Sequence, residues 1–207
     1  LWHLDQKIND RGIYVDTDLA HAAIRAVARE QKRLKDVTQE STGYDELTGE
    51  GVESATKRDI LLAHIIASYG IELPDLQKDT LERRIADPDL PNDLRELLRI
   101  RLAVSSTSTS KYKALINGVM PDGRLRGTLQ YNGASRTRRP AGRTFQPTNL
   151  PRPDMSQSDI EFAIECMKGD AEDMILVDVM RSARNAVRGC IIAPPGKKIV
   201  VADLSNI

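Results

Sequence analysis

No stretch of this 207-residue sequence approaches the roughly 20 consecutive apolar residues that a membrane-spanning helix requires. The opening, LWHLDQKIND, lacks the pattern of a secretory signal and does not begin with Met, so the sequence reads as an excerpt of a longer, soluble chain with no membrane partner. Cysteine is nearly missing: Cys166 and Cys190 stand singly, without metal-ligand spacing or a disulfide framework, which points to a reduced, cytoplasmic setting. Net charge is missing too, with 30 basic residues against 30 acidic ones, but this zero hides a segregation. Between Gly123 and Pro153 there is no Asp or Glu at all, while seven arginines (124, 126, 136, 138, 139, 143 and 152) fall there. From Asp154 to Met180 the balance reverses to eight acids against Lys168. A segment so depleted of acid makes a polyanion-facing surface whatever the global charge. The 40% apolar content suffices to bury a core in one ordinary domain or two small ones.

Periodicity predicts an α+β, predominantly helical chain, with a helical first half and an α/β second half hinged near residues 110–122. Leu1, Leu4 and Ile8 space a first helix ended by Gly12, and Asp16 or Thr17 caps a second that runs to about Lys35. A polar loop with three glycines follows, and Ser54 is a candidate cap for a helix that Gly70 stops. His64 lies on that helix's apolar face and is read as a packing residue without chemistry. A short helix lies between Pro74 and Pro88, and Asn92 caps a longer one reaching residue 118. Its middle is a Ser/Thr run, 105–110, which reads equally as a helix break or as a hydroxyl-lined surface with Lys111 turned to phosphates. Alternation from Arg124 to Tyr131 predicts one strand with an arginine face. Two helices, over 156–170 with Ser156 or Ser158 as cap and over 171–189, precede two short strands around Pro194-Pro195-Gly196.

The segment SRTRRPAGRTFQPTNLPRP, residues 135–153, admits three uses: a solvated linker, a phosphate-contacting loop, or a site for an acidic partner. Phe145, Leu150 and the amides Gln130, Gln146 and Asn149 among the charges favour nucleic acid. Arginine holds phosphates, and amides and guanidinium forks reach the minor-groove acceptors that every base pair offers. Asp203, at the end of the apolar run Ile199–Ala202, is either a turn residue or a carboxylate placed by a rigid strand to bind Mg²⁺.

PDGRLRGTLQYNGASRTRRPAGRTFQPTNLPRP followed by VRGCIIAPPGKKIVVADLSNI resembles a family A DNA polymerase of the DNA polymerase I type, most of all its bacteriophage branch. INDRGIYVD and ESATKRDILLAHIIASYGI resemble the segment that opens the thumb of those enzymes, so the likeness spans nearly the whole chain. It implies a helical thumb-side region over 1–110 and, over 111–207, an incomplete palm with short antiparallel strands. Asp203 then matches the catalytic aspartate that binds two Mg²⁺ ions, and the carbonyl of Leu204 a further metal contact. Arg139 matches the arginine that reaches the minor groove at the primer terminus, while Gln146 and Asn149 match nearby amide contacts. Ser110 and Lys111 match the thumb region that tracks the duplex backbone, and Arg143 belongs to the same DNA-binding set. The implied reaction is nucleotidyl transfer in DNA replication, with primer–template DNA and deoxynucleoside triphosphates as partners, in an enzyme monomeric when complete and working in a bacterial host cytoplasm.

Three positions depart from the family pattern. Where its members usually read Thr-Gly-Arg followed by an aromatic residue or leucine, this chain has Thr137-Arg138-Arg139-Pro140, and Thr148 stands where glutamine is common. The resemblance also places a glutamate, the fingers helix and the second catalytic aspartate beyond Ile207, so the 207 residues alone are expected to be inactive in synthesis. A non-catalytic duplex-binding module, or the N-terminal part of a split polymerase, is the alternative.

Overall fold

Leu4 and Ile8 at helical spacing, closed by Gly12 at φ +66°, give helix α1 (Trp2–Arg11). In this computed structural model, which describes residues 1–106, 109–175 and 178–200, the chain is α+β and predominantly helical, as its periodicity predicts. A Cβ on Gly12 would stand 2.6 Å from the Leu125 carbonyl oxygen. Only glycine therefore lets strand β1 (Ile13–Tyr14) lie antiparallel to β2 (Arg124–Leu125) across some 110 residues of intervening sequence. The described chain divides into two compact units.

Unit 1 comprises Leu1–Ile24, Thr109–Ile175 and Arg184–Ile207. Its spine is the stretch from Ile13 to Asp16. Val15 N–H donates to the Gly123 carbonyl at 3.1 Å, Asp16 N–H to that of Cys190 at 2.9 Å, and Ile192 N–H to that of Tyr14 at 3.1 Å. Helix α2 (Thr17–Thr42) starts here, with the Asp16 carboxylate accepting the Leu19 N–H at 2.9 Å as its cap. Around this spine Leu19, Tyr112, Leu115, Leu125, Phe145 and Met167 are fully buried.

Unit 2 comprises Arg25–Ser108 and Leu176–Ala183. Its core joins Val52 to the buried faces of α3 (Arg58–Tyr69), α4 (Lys78–Ile85) and α5 (Asn92–Ser106), with Leu61, Ile65, Leu81, Leu94 and Leu98 at its centre. Two arginines brace it by donating to main-chain carbonyls. Arg95 Nη2 reaches those of Asp87, Pro88 and Leu90 at 2.9, 3.3 and 3.0 Å, and Arg101 Nη1 those of Ala55 and Thr56 at 3.0 and 3.2 Å. His64 is half-buried with its ring edge on Tyr69, and burial lowers its pKa, in keeping with packing.

Several local expectations change. Helix α2 runs seven residues beyond Lys35, because the Thr38 and Thr42 hydroxyls donate to the carbonyls one turn back, both at 2.7 Å, and Val52 N–H closes on Thr42 Oγ1 at 3.0 Å. Ser54 caps a turn at Thr56 rather than α3, which starts at Arg58. The long helix expected from residue 93 is two helices, α5 ending at Ser106 and α6 (Ser110–Gly118); Thr107 and Ser108, in the middle of the hydroxyl run, lie outside the described residues. The strand expected over 124–131 is split by Gly127 at φ +64° into β2 and β3 (Leu129–Gln130), which pair with different partners.

Helix α7 (Gln157–Lys168) is capped by Ser156, which accepts the Asp159 N–H at 3.1 Å. The helix expected over 171–189 shortens to α8 (Val179–Ala186) between two 3₁₀ turns. The Pro194–Lys197 turn forms, closed by a 3.0 Å hydrogen bond, but the flanking strands do not. Ile191 makes a single bridge to Val15, while Ile199 and Val200, 52% and 77% exposed, have no strand beside them among the described residues. No described helix is long and apolar enough to cross a membrane.

Candidate nucleic-acid interface

The acid-free segment is built as a hairpin with both ends fastened. Strand β3 pairs antiparallel with β4 (Ala141–Gly142), leaving residues 131–140 as its loop. Within the loop Ala134 N–H donates to the Arg139 carbonyl at 3.0 Å and Arg138 N–H to that of Ala134 at 2.7 Å. After β4 a turn forms, Arg143 N–H donating to Thr128 O at 2.7 Å and Gln146 N–H to Arg143 O at 2.9 Å, and a 3₁₀ turn, Pro147–Asn149, follows. Phe145 points inward and is fully buried; such burial is worth on the order of 1.5–3 kcal/mol and offsets part of the entropy of ordering the turn.

The fastenings come from distant side chains. On the hairpin's outer edge the Asn9 amide of α1 takes both free groups of Leu129, its Nδ2 donating to the carbonyl at 2.9 Å and its Oδ1 accepting the N–H at 3.0 Å. Buried Asp5 steadies that amide at 3.2 Å. At the other end Arg188 donates to the carbonyls of Leu150 and Pro151, both at 2.9 Å. Asn185 brackets Asp154 through its backbone N–H at 2.8 Å and its carboxylate at 2.7 Å, and Arg184 pairs with the same carboxylate.

The seven arginines thereby separate into two groups. Arg124 lies over the Tyr14 ring at 5.8 Å and donates to the carbonyls of Arg11 and Gly12, while Arg126 forks onto the Asp122 carboxylate at 2.9 and 2.6 Å. The Arg126 hydrogen bonds hold the Asp122 pKa down to about 2. The other five, Arg136, Arg138, Arg139, Arg143 and Arg152, are exposed and make no side-chain hydrogen bond or ion pair among the described residues. Five unpaired guanidinium groups on a fastened segment without acid suit a ligand rich in phosphate.

The structure gathers part of the expected site. Lys111, Arg143, Gln146 and Asn149 come together: Lys111 Nζ donates to the Phe145 carbonyl at 3.0 Å and to Gln146 Oε1 at 3.3 Å, and Asn149 N–H donates to the Gln146 carbonyl at 2.9 Å. Burial pulls the Lys111 pKa below the usual lysine value. Ser110 opens α6 with its side chain exposed, and Arg139 lies in the hairpin loop. Arg138 sits at φ +57°, a left-handed conformation that suits the glycine the resemblance leads one to expect there. Asp203 and Leu204 lie outside the described residues. No group of three or more His, Cys, Asp or Glu side chains that could hold a metal ion occurs among the described residues. Cys190, its thiol pushed up to about 12 chiefly by burial, and Cys166 are both free and buried, so neither is poised as a nucleophile. Sequence reasoning missed Asn9, Asn185 and Arg188, since a polar residue that bonds across 120, 31 or 37 residues leaves no local pattern.

Comparison with known proteins gives this geometry its setting. What the chain resembles along its whole length is a phage DNA polymerase. The relative is the DNA polymerase of Bacillus phage SP02, 33% identical over 210 aligned residues that take in all of this chain and 31% of that protein. The chain is thus a homologue of a part of a phage DNA polymerase and spans under a third of its relative's length. No family model and no solved structure matches the chain.

Proposed function

We propose that this chain is the primer–template-binding part of a family A, DNA polymerase I-type replication enzyme of a bacteriophage, acting in the host cytoplasm. The observation that carries the reading is the set of five exposed, unpaired arginines on a hairpin and turn fastened at both ends. Arg136, Arg138, Arg143 and Arg152 meet phosphates, Ser110 meets the duplex backbone near α6, and Arg139 with the amides of Gln146 and Asn149 meets the minor groove at the primer terminus. Acceptors there occupy equivalent places in every correct pair, so these donors test pairing geometry rather than sequence. Thumb and palm roles for residues 1–110 and 111–207 belong to the same reading.

Asp203 and the Leu204 carbonyl are assigned to Mg²⁺ on the resemblance alone; metal held there supplies charge neutralisation for nucleotidyl transfer from deoxynucleoside triphosphates. The 207 residues tested as they stand are expected to bind duplex without extending it.

Fluorescence anisotropy with a labelled primer–template, titrated across salt concentrations, tests the binding reading. Arg139→Ala and Arg143→Ala each weaken binding about 3–10-fold at low salt; loss of Arg143, a phosphate contact, also lowers the salt slope by about one, and loss of Arg139, a base-edge contact, lowers discrimination at the primer-terminal pair. Arg126→Ala, which removes an internally paired arginine, leaves the slope unchanged. Unchanged affinity and slope in both of the first two variants would sink the proposal.

A further inference from the structure

The resemblance places Lys111 in the region that tracks the duplex backbone, and in this structure its ammonium is turned onto the turn that carries Gln146. It stands on α6, which is locked into the core by Tyr112 and Leu115, 2% and 0% exposed, so its anchor is rigid. From there it reaches the Phe145 carbonyl at 3.0 Å and Gln146 Oε1 at 3.3 Å. Both contacts fall where the turn needs help: Thr144 and Gln146 take φ +56° and +52°, a left-handed backbone that is strained for a non-glycine residue.

The chemistry of the contact fixes more than position. An ammonium has three donors and no acceptor, so the side of the Gln146 amide facing it must be the oxygen. The amide nitrogen then points the other way, and it has no partner among the described residues. A minor groove offers mainly acceptors, purine N3 and pyrimidine O2, so an outward NH₂ is the polarity that duplex contact requires. A lysine that met a phosphate instead would leave this amide free to present either face.

We infer that Lys111 is a positioning residue: it ties α6 to the turn 143–149 and sets the polarity of the Gln146 amide, so that its NH₂ faces minor-groove acceptors. This rests on the DNA reading above and assigns Lys111 an indirect part in it. Lys111 gives the site pair discrimination rather than one more ionic contact.

The test uses the 207-residue chain and two sets of primer–template duplexes, one natural and one with a purine near the primer terminus replaced by its 3-deaza analogue, which lacks the N3 acceptor. Wild type loses about 3–10-fold in affinity on that replacement, the range of one hydrogen bond. Lys111→Met binds natural duplex about 3–10-fold more weakly, no longer distinguishes the analogue, and keeps the wild-type salt slope. Lys111→Arg, whose guanidinium is also donor-only, keeps the discrimination and controls for folding. A Lys111→Met protein that still discriminates while its salt slope falls by about one makes Lys111 a phosphate contact and overturns the inference. Tight duplex binding by wild type without discrimination at any primer-terminal purine overturns the inference and spares the DNA reading; no duplex binding by wild type overturns both.

Discussion

Unit 2 and unit 1 differ in where their arginines are spent. In unit 2 Arg95 and Arg101 fold onto five main-chain carbonyls, and Arg33, Arg84 and Arg99 pair with Glu30, Asp87 and Glu96. In unit 1 Arg124, Arg126, Arg184 and Arg188 do similar internal work, but between them the chain keeps five guanidinium groups with nothing to pair. The residue type is the same, and what differs is whether the guanidinium finds an acceptor within the fold. Between α4 and α5 the carbonyls of Asp87, Pro88 and Leu90 converge within reach of one guanidinium fork. The hairpin loop forms hydrogen bonds across itself, and its arginines, with Arg143 and Arg152 beyond it, are left to a partner. Arginine count therefore says little about binding until the internal acceptors have been assigned.

Three variants sharpen that contrast, beginning with the largest effect. Arg95→Ala strips the donor from three carbonyls and should cost unit 2 about 2–3 kcal/mol, the range for hydrogen bonds to a charged group. Chemical denaturation should show this, with duplex affinity unchanged wherever the protein is folded; a loss of affinity without a loss of stability would erase the distinction between the two groups of arginine.

Arg138→Gly relieves a left-handed backbone while removing one unpaired cation. The gain is about 1 kcal/mol, read as a higher melting temperature, together with a salt slope lower by about one. A variant that melts lower would show that the side chain does internal work after all.

The smallest effect concerns acid. The hydrogen bonds from Arg126 hold the Asp122 carboxyl near 2, below its ordinary 3.8. A group whose pKa is depressed in the folded state contributes stability that is fully present above the unfolded value, so this contribution is lost as pH falls from about 3.8 through about 2. Asp122→Asn should lower stability slightly from about pH 4 up to neutral, where the ionised carboxylate contributes, and so flatten the acid limb of the profile in that window.

The helices were legible where one face is apolar. Leu4 and Ile8 before Gly12, Leu61 and Ile65, and Leu94 with Leu98 announce α1, α3 and α5 through spacing alone. Their ends were less legible, because Thr38 and Thr42 extend α2 by bonding back to their own helix, in a stretch whose polarity reads as loop. The strands were least legible: β1 to β4 are two residues each, too short for alternation to separate, and Gly127 cuts the one run that alternates. For the site, the missing acid between Gly123 and Pro153 located the segment. It could not tell Arg124 and Arg126 from the other five, since that depends on Tyr14 and Asp122 in three dimensions.

The Asn9 amide has a further consequence. A two-stranded sheet offers its outer backbone groups to any extended chain that passes, including another copy of itself. By occupying both the donor and the acceptor of Leu129, one side chain takes the place of a third strand along that rim. The Leu129 edge of a hairpin that carries Arg136, Arg138 and Arg139 is thus closed to a neighbour's main chain, and what approaches on that side comes to it by charge.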